Sequence, residues 1–96
     1  QLLDEAGCFS IVLEKIPSAL AAQVTQMVSC PVIGIGAGNQ CDGQVLVLHD
    51  MLGLNQGFKP KFLRHFAALG SEVKNAVANY IDAVKDSSFP SIDESY

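Results

Sequence analysis

The fold is decided by residues 8–36, which read CFSIVLEKIPSALAAQVTQMVSCPVIGIG. Residues 8–13 and 31–36 are short runs rich in β-branched apolar side chains, and such runs predict strands that are buried on both faces. Between them, Pro17 and Ser18 open a predicted helix that extends to about Ser29. Its predicted apolar stripe consists of Leu20, Val24, Met27 and Val28. A strand, a helix and a strand in this order form a parallel pair with a crossover between them.

A third apolar run, residues 44–48, leaves two interpretations open. A parallel crossover normally takes a dozen or more residues, yet only about eight separate this run from the second strand. Either the intervening helix is nearly absent or the third run is itself helical. We favour a strand, because consecutive branched apolar side chains fit a pleated buried surface.

The flanking segments are predicted to be mainly helical. Residues 1–7 resemble the last turn of a helix that ends at Gly7, and no start signal precedes it. Residues 49–57 are predicted to be a glycine-punctuated loop with room for one helical turn. Pro60 begins a predicted helix that Gly70 stops, and Ser71 caps a last helix. The predicted buried stripe of that last helix consists of Val73, Val77, Tyr80, Ile81 and Val84. Residues 87–96 are predicted to form an extended polar tail.

Alternating parallel strands and helices leave two α/β classes, an open doubly wound sheet and a closed barrel. Both carry their sites at the carboxyl ends of the strands. A closed barrel of eight units needs about 250 residues, so three strands with their helices are predicted to be its last portion. Three strands alone would also leave two exposed sheet edges. These edges are a further reason to expect a missing partner segment. If the fold is the barrel, residues 1–96 are expected to be the C-terminal segment of that one domain, with its N-terminal part absent.

Composition excludes several classes of protein. The chain has 96 residues, of which 49% are hydrophobic and 17% charged, and this is typical of a globular domain. The six basic residues are scattered and the net charge is −4, so we predict neither a nucleic-acid nor a membrane partner. Three cysteines without a CxxC spacing, namely Cys8, Cys30 and Cys41, indicate free thiols in a reducing cytoplasm and no metal site.

Glu14 is the candidate catalytic residue. It directly follows the first apolar run, which places it at the mouth of the predicted sheet. A carboxylate beside low-dielectric walls there is suited to act as a general base. The alternative is a strand-end glutamate that pairs with Lys15 or with solvent.

The other candidates are weaker. Gly34, Gly36 and Gly38 do not complete the dinucleotide fingerprint, because its third glycine would fall at Asn39. These glycines either let backbone approach a ligand or let a crowded strand end pack. The histidines and aspartates form no recognisable triad, and one or two carboxylates are weak support for a cation site. These residues are His49 and Asp50, predicted to point to opposite faces, together with His65, predicted in a helix, and Asp42.

Several segments resemble one enzyme family in order and spacing. Residues 12–17, VLEKIP, look like the V-L-E-x-[IV]-P element of the ketopantoate hydroxymethyltransferase (3-methyl-2-oxobutanoate hydroxymethyltransferase) family. The run PVIGIGAGN at residues 31–39 is similar to that family's longest signature. Further matches are residues 41–47, 49–54 and 60–62, the Tyr80 helix, and the ending at residues 89–96.

This resemblance implies a (β/α)8 barrel of the phosphoenolpyruvate/pyruvate type. It implies transfer of a hydroxymethyl group from 5,10-methylenetetrahydrofolate to 3-methyl-2-oxobutanoate, the first committed step of pantothenate synthesis. Glu14 occupies the position of the family's C3 base, and Ile35, Val45 and Val47 match its apolar substrate pocket. The resemblance also implies Mg²⁺, whose ligands are expected in the absent N-terminal part, and a large homo-oligomer at full length.

Two functional hypotheses follow. In the first, the chain is part of a Mg²⁺-dependent hydroxymethyltransferase that is active once the remaining strands are supplied. In the second, it is a truncated, inactive fragment. A weaker third hypothesis is another 2-oxo-acid lyase on the same barrel. The Glu14-x-x-Pro17 and Asp42-Gly43-Gln44 elements argue against it, because they resemble the hydroxymethyltransferase family.

Overall fold

The computed structural model describes residues 1–55, 57 and 59–96. These residues form two compact units, one from residues 1–48 and 59–64, the other from 65–96 and the described residues of 49–58. The three-stranded sheet lies in the first unit and the longest helix in the second. The elements are α1 (Leu2–Glu5), β1 (Ile11–Glu14), α2 (Ser18–Met27), β2 (Val32–Ile35), β3 (Gly43–Gln44), α3 (Leu48–Met51), α4 (Leu69–Lys85) and a 3-10 turn (Ile92–Glu94).

The sheet has the order β1-β2-β3, and both pairings are parallel. The α/β class and the parallel β1-α2-β2 unit are therefore confirmed. The Cα partners of β1 and β2 run from Ile11 with Val32 to Glu14 with Ile35. Both strands are shorter than predicted, and Glu14 is the last residue of β1 rather than the first one after it.

The prediction that β1 is buried on both faces is wrong. Ile11 and Leu13 are half-buried, whereas Val12 is 60% exposed. Successive side chains of a strand point to opposite faces, so Ile11, Leu13 and Val32 share one face and Val12 lies on the other. In the first unit α2 covers only the face of Val32, where Ala21 and Val32 are completely buried.

Helix α2 begins at Ser18, as predicted, but its apolar stripe is rotated from the predicted one. Leu20 and Met27 are 48% and 58% exposed, whereas Ala21 is fully buried. The small Ala21 side chain allows the helix to approach the sheet closely. Thr25, one turn further along, donates its hydroxyl to the Ala21 carbonyl at 2.8 Å. The core of this unit therefore depends on a small residue that a search for large apolar side chains does not select.

The third run forms only a short strand, so the prediction of a strand over residues 44–48 is largely wrong. Gly43 and Gln44 pair with Ile33 and Gly34, and the N–H of Val45 donates to the Gly34 carbonyl at 3.0 Å. Strand β2 ends at Ile35, so its ladder offers no partners to the residues after Val45. No described helix lies between β2 and β3, which confirms the first of the two interpretations of the short connection.

The predicted helix from Pro60 to Leu69 does not form. Backbone N–H groups of Phe66, Leu69 and Gly70 donate to the carbonyls of residues 51, 52 and 53 at 2.8–3.2 Å. These donors are therefore not available for bonds to residues four positions earlier, as a helix requires. The apolar spacing of residues 60–69 predicts a helix, but their backbone forms hydrogen bonds to residues 51–53 instead.

Helix α4 runs from Leu69 to Lys85, so Gly70 lies inside it and Ser71 is not its cap. Its predicted apolar stripe has the expected spacing, but the prediction of burial is wrong. All five side chains are exposed, by between 42% and 57%. Among the described residues of the second unit, α3, the 3-10 turn and irregular segments are what is available to cover them, and the Tyr80 ring meets Phe89 edge-on at 5.6 Å. The tail is not fully extended either, because Ser91 and Glu94 form a capping box on the 3-10 turn.

The carboxyl-terminal connection of β2 is packed through its glycines. A Cβ added at Gly36 would lie 2.9 Å from the Phe62 ring, and one at Gly38 would lie 2.5 Å from the Ser18 Cβ. Both residues have positive φ, 66° and 84°, a region that residues with a side chain rarely adopt. The contacts favour the second role given to these glycines, close packing at the strand ends.

Asp4 connects α1 to the segment before β2. Its carboxylate accepts the Ser29 N–H at 2.9 Å and the Ser29 hydroxyl at 2.8 Å. These bonds lower the pKa of Asp4 from its ordinary 3.8, and the Ser29 N–H contributes more than the Ser29 hydroxyl. Helix α1 ends at Glu5 with Ala6 as its C-cap, and the predicted terminating Gly7 follows directly with φ 85°, where the Cys8 N–H is bonded to the Leu3 carbonyl at 3.1 Å.

Replacing Gly38 with alanine is expected to destabilise the protein by roughly 2–4 kcal/mol, because it adds a steric clash to a left-handed backbone. Gly7→Ala is the matched control, since Gly7 has φ 85° but no described atom within 4 Å of the added Cβ. It should lose only about 1 kcal/mol. Urea denaturation measures both free energies of unfolding, and equal losses would contradict the packing role of Gly38.

Asp4→Asn is expected to lower the free energy of unfolding at neutral pH. A carboxylate whose pKa is lowered by folding stabilises above its unfolded pKa and loses that effect as the pH falls through its folded pKa. The difference between wild type and variant should therefore shrink below about pH 3.8. Denaturation at neutral and acid pH checks this, with Glu5→Gln on the same helix as a control for the lost charge. A difference that is constant with pH would contradict it.

Candidate active site

Glu14 lies at the carboxyl end of β1, where it is exposed. Its Cα partner is Ile35, the last residue of β2. Partners in adjacent parallel strands point to the same side of the sheet, so the two side chains are neighbours on one face. The Lys15 N–H donates to the Ile35 carbonyl at 2.8 Å, which fixes the backbone directly after Glu14.

Val45 joins the same row. Its N–H continues the ladder one residue beyond β3, at 3.0 Å from the Gly34 carbonyl. Extending the observed register by that residue sets Val45 beside Ile35 and on the side of Glu14. We call this surface the Glu14 face, formed by Val12, Glu14, Ile33, Ile35 and Val45. Val12 and Val45 are 60% and 45% exposed, and Ile33 and Ile35 are half-buried, so the face consists of a carboxylate among partly accessible apolar side chains.

Val47 does not join this row. It lies outside the strand, between Val45 and α3, and is 53% exposed. The strand predicted over residues 44–48 does not extend to Val47. The structure therefore brings together Glu14, Ile35 and Val45, three of the four site residues named from the sequence.

The remaining candidates lie elsewhere. Asp42 precedes β3 at the opposite, amino end of the sheet, where its carboxylate accepts the Val32 N–H at 2.8 Å. In the second unit, Asp50 accepts the Asn55 amide at 3.3 Å, and His49 precedes it in helix α3, not in a strand. His65 lies in an irregular segment and not in the predicted helix.

No metal centre emerges from these positions. Across residues 1–55, 57 and 59–96, no three His, Cys, Asp or Glu side chains are grouped so as to hold a metal ion. The cysteines are free and half-buried. Partial burial raises the pKa of the Cys30 thiol, and Asp4 raises it further, which favours the unreactive protonated form.

Gln44 was not among the candidate site residues predicted from the sequence. Its side-chain amide donates to the Gly38 carbonyl at 2.8 Å. This bond connects β3 to residues 36–42, which link β2 to β3 and which we call the glycine connection. The one sequence signal for Gln44 is a polar residue at the start of an apolar run. That signal has many explanations, because exposed polar residues at strand ends are common.

Among the described residues, no helix is long and apolar enough to cross a membrane.

A model of the ketopantoate hydroxymethyltransferase family matches residues 1–92. The 3-methyl-2-oxobutanoate hydroxymethyltransferase of Chlorobium phaeobacteroides is 59% identical over 96 residues, which are 100% of this chain and 35% of that relative. The enzyme of the same name from Parabacteroides distasonis is 60% identical over 95 residues, with 99% of the chain and 35% of the relative covered.

The same similarity extends to Salinibacter ruber, whose 3-methyl-2-oxobutanoate hydroxymethyltransferase is 57% identical over 94 residues. That alignment covers 98% of this chain and 36% of the relative. The chain thus spans about a third of the length of these curated relatives. The match over nearly all of its residues shows that the chain belongs to the ketopantoate hydroxymethyltransferase family.

Proposed function

We propose that this chain supplies the catalytic base and part of the apolar pocket of a hydroxymethyltransferase. The enzyme transfers a hydroxymethyl group from 5,10-methylenetetrahydrofolate to 3-methyl-2-oxobutanoate and forms 2-dehydropantoate. The observation that carries the proposal is the position of Glu14 at the carboxyl end of a parallel sheet, beside Ile35 and in a member of this family. Ligands of parallel α/β sheets bind at that end.

In this proposal the sheet is part of a (β/α)8 barrel, the chain is its C-terminal segment, and the Glu14 face is directed to the barrel interior. The open Glu14 face supports this arrangement, because α2 covers the opposite side. A barrel buries both faces of its strands, one against the helices and one against its own interior. A cytoplasmic location and a homo-oligomer at full length remain predictions.

The chemistry begins at C3 of the substrate, next to the ketone. The Glu14 carboxylate removes the C3 proton, and the electron pair left behind is delocalised into the ketone as an enolate. That pair then forms a carbon–carbon bond to the one-carbon unit, whose two carbon–nitrogen bonds to the folate break. Water supplies the hydroxyl oxygen, and the C3 proton and one water proton end on the two nitrogens of tetrahydrofolate. Ile35, Val45 and Val47 contact the branched end of the substrate.

The described residues do not fit a Mg²⁺ site. Magnesium requires several oxygen ligands in octahedral geometry, whereas the Glu14 face carries one carboxylate and Asp42 is committed at the other end of the sheet. We therefore propose that the ligands of the Mg²⁺ expected in this family lie in residues outside this chain. The second hypothesis, a fragment that is inactive by itself, is supported by the same observation.

Glu14→Gln is expected to slow exchange of the C3 proton of 3-methyl-2-oxobutanoate with solvent deuterium by roughly 10²–10⁴-fold. The test protein is a hybrid in which this chain replaces the matching 35% of the Chlorobium phaeobacteroides relative. Proton NMR follows the exchange without the folate. The amide retains the size of Glu14 but cannot accept the proton.

Glu72→Gln on the exposed surface of α4 is the matched control and should exchange at the wild-type rate. Undiminished exchange in Glu14→Gln would exclude Glu14 as the base. The 96-residue chain assayed alone should show no turnover, and activity there would exclude the fragment hypothesis.

Val45→Ala is expected to raise the KM for 3-methyl-2-oxobutanoate by roughly 10-fold with little change in kcat, because the lost methyl groups contact substrate and transition state alike. Discrimination against 2-oxobutanoate, which lacks the branch, should fall in the same variant. Val84→Ala, a similarly exposed valine on α4, is the control. A change confined to kcat in Val45→Ala would contradict a pocket role.

A further inference from the structure

The side chain of Gln44 connects β3 to the glycine connection that follows β2. Its Nε2 donates to the Gly38 carbonyl at 2.8 Å. The amide also lies over Gly34, since a Cβ added there would be 3.1 Å from Nε2 and 3.3 Å from Oε1. The absence of a side chain at Gly34 is therefore what allows Gln44 to reach Gly38.

Gly38 in turn packs on the start of α2. An added Cβ at Gly38 would lie 2.5 Å from the Cβ and 3.2 Å from the Cα of Ser18. Ser18 begins α2 only four residues after Glu14, and the Lys15 N–H is bonded to the Ile35 carbonyl. The short segment between Glu14 and α2 is thus held at both ends, by β2 and by Gly38.

We propose that Gln44 is a positioning residue for Glu14. By holding the Gly38 carbonyl it sets the glycine connection against Ser18 and thereby fixes the segment through which the chain leaves Glu14. The inference rests on the proposed function, because it assumes that Glu14 is the base. The Gln44 hydrogen bond would thus influence the position of the Glu14 carboxylate relative to C3 of the substrate. Proton transfer is sensitive to that position within a fraction of an ångström.

The chemistry of the amide suits this role. A glutamine donates to a carbonyl without introducing a charge, and its length spans Gly34 to reach residue 38. The bond is exposed to solvent, so its contribution to global stability is small. Its loss should therefore change the local geometry around Glu14 more than the stability of the fold.

Two replacements in the hybrid separate positioning from simple structural support. Gln44→Met retains the length but cannot donate, and it should lower kcat for C3 proton exchange by roughly 10- to 100-fold with KM nearly unchanged. Gln44→Glu cannot donate while ionised, whereas its protonated carboxyl can. The ratio of its exchange rate to that of wild type should therefore rise as the pH falls from about 8 to about 5. A purely steric role predicts a ratio that does not change with pH.

Hydrogen–deuterium exchange of the backbone supplies a readout that needs no activity. Peptides from residues 15–18 and 36–42 should exchange faster in Gln44→Met than in wild type. Gln40→Met, an exposed glutamine of the same connection, is the matched control and should leave both peptides and the rate unchanged.

Three results would each overturn the inference. They are a wild-type kcat in Gln44→Met, a rise in KM alone in Gln44→Met, and a ratio of the Gln44→Glu rate to the wild-type rate that does not change with pH. If Glu14→Gln is slow while Gln44→Met is not, only the role of Gln44 is excluded. If Glu14→Gln exchanges at the wild-type rate, the proposed function and this inference are excluded together.

Discussion

The parallel ladder between β1 and β2 is the constraint on which the rest of the site depends. Because side chains alternate along a strand, a slip of one residue would turn Glu14 to the side of α2 and expose the core. Hydrogen bonds at both ends hold the register, from Ile11 to the Pro31 carbonyl at 3.0 Å and from Lys15 to the Ile35 carbonyl at 2.8 Å. The same register that buries Val32 therefore places Glu14 beside Ile35.

Small residues determine how closely the neighbouring segments approach this ladder. Ala21 lets α2 reach Val32, Gly36 makes room for Phe62, and Gly38 makes room for Ser18. At each of these positions a larger side chain would occupy space that another residue already fills. The connection after β2 can consequently be short, because these contacts and the Gln44 hydrogen bond hold it without a helix between β2 and β3.

The sequence predicted the parts of the fold that local pattern determines. Two branched apolar runs with Pro17 and Ser18 between them were sufficient for the parallel unit, and Gly7 marked the end of α1. The helix predicted after Pro60 failed because its N–H groups are bonded to distant carbonyls, which no apolar spacing reveals. The stripe around Tyr80 was predicted correctly in position but not in burial, because burial depends on what packs against a helix and not on its own pattern.

The site residues divide in the same way, into those that the sequence identifies and those that depend on contacts between distant segments. Glu14 was named from its place at the end of the first apolar run, Ile35 and Val45 were named by family resemblance, and the register brings the three into one row. The strand assumed for Val47 ended with the ladder of β2. Gln44 could not be selected from sequence, because its partner is a backbone carbonyl and any residue could have supplied that acceptor.

A carboxylate among apolar neighbours can accept a proton, but it cannot stabilise the charge that its action creates. The Glu14 face offers valine and isoleucine side chains next to that carboxylate, and its described side chains include neither a hydrogen-bond donor nor a cation. An enolate forming there would gain no electrostatic stabilisation from the face itself, although such stabilisation is usually the largest contribution to catalysis. Under the proposed function, base and charge stabilisation are therefore divided between different parts of the enzyme. In that proposal this chain supplies the base and the apolar wall, and the groups that meet the negative oxygen approach the Glu14 face from residues outside it.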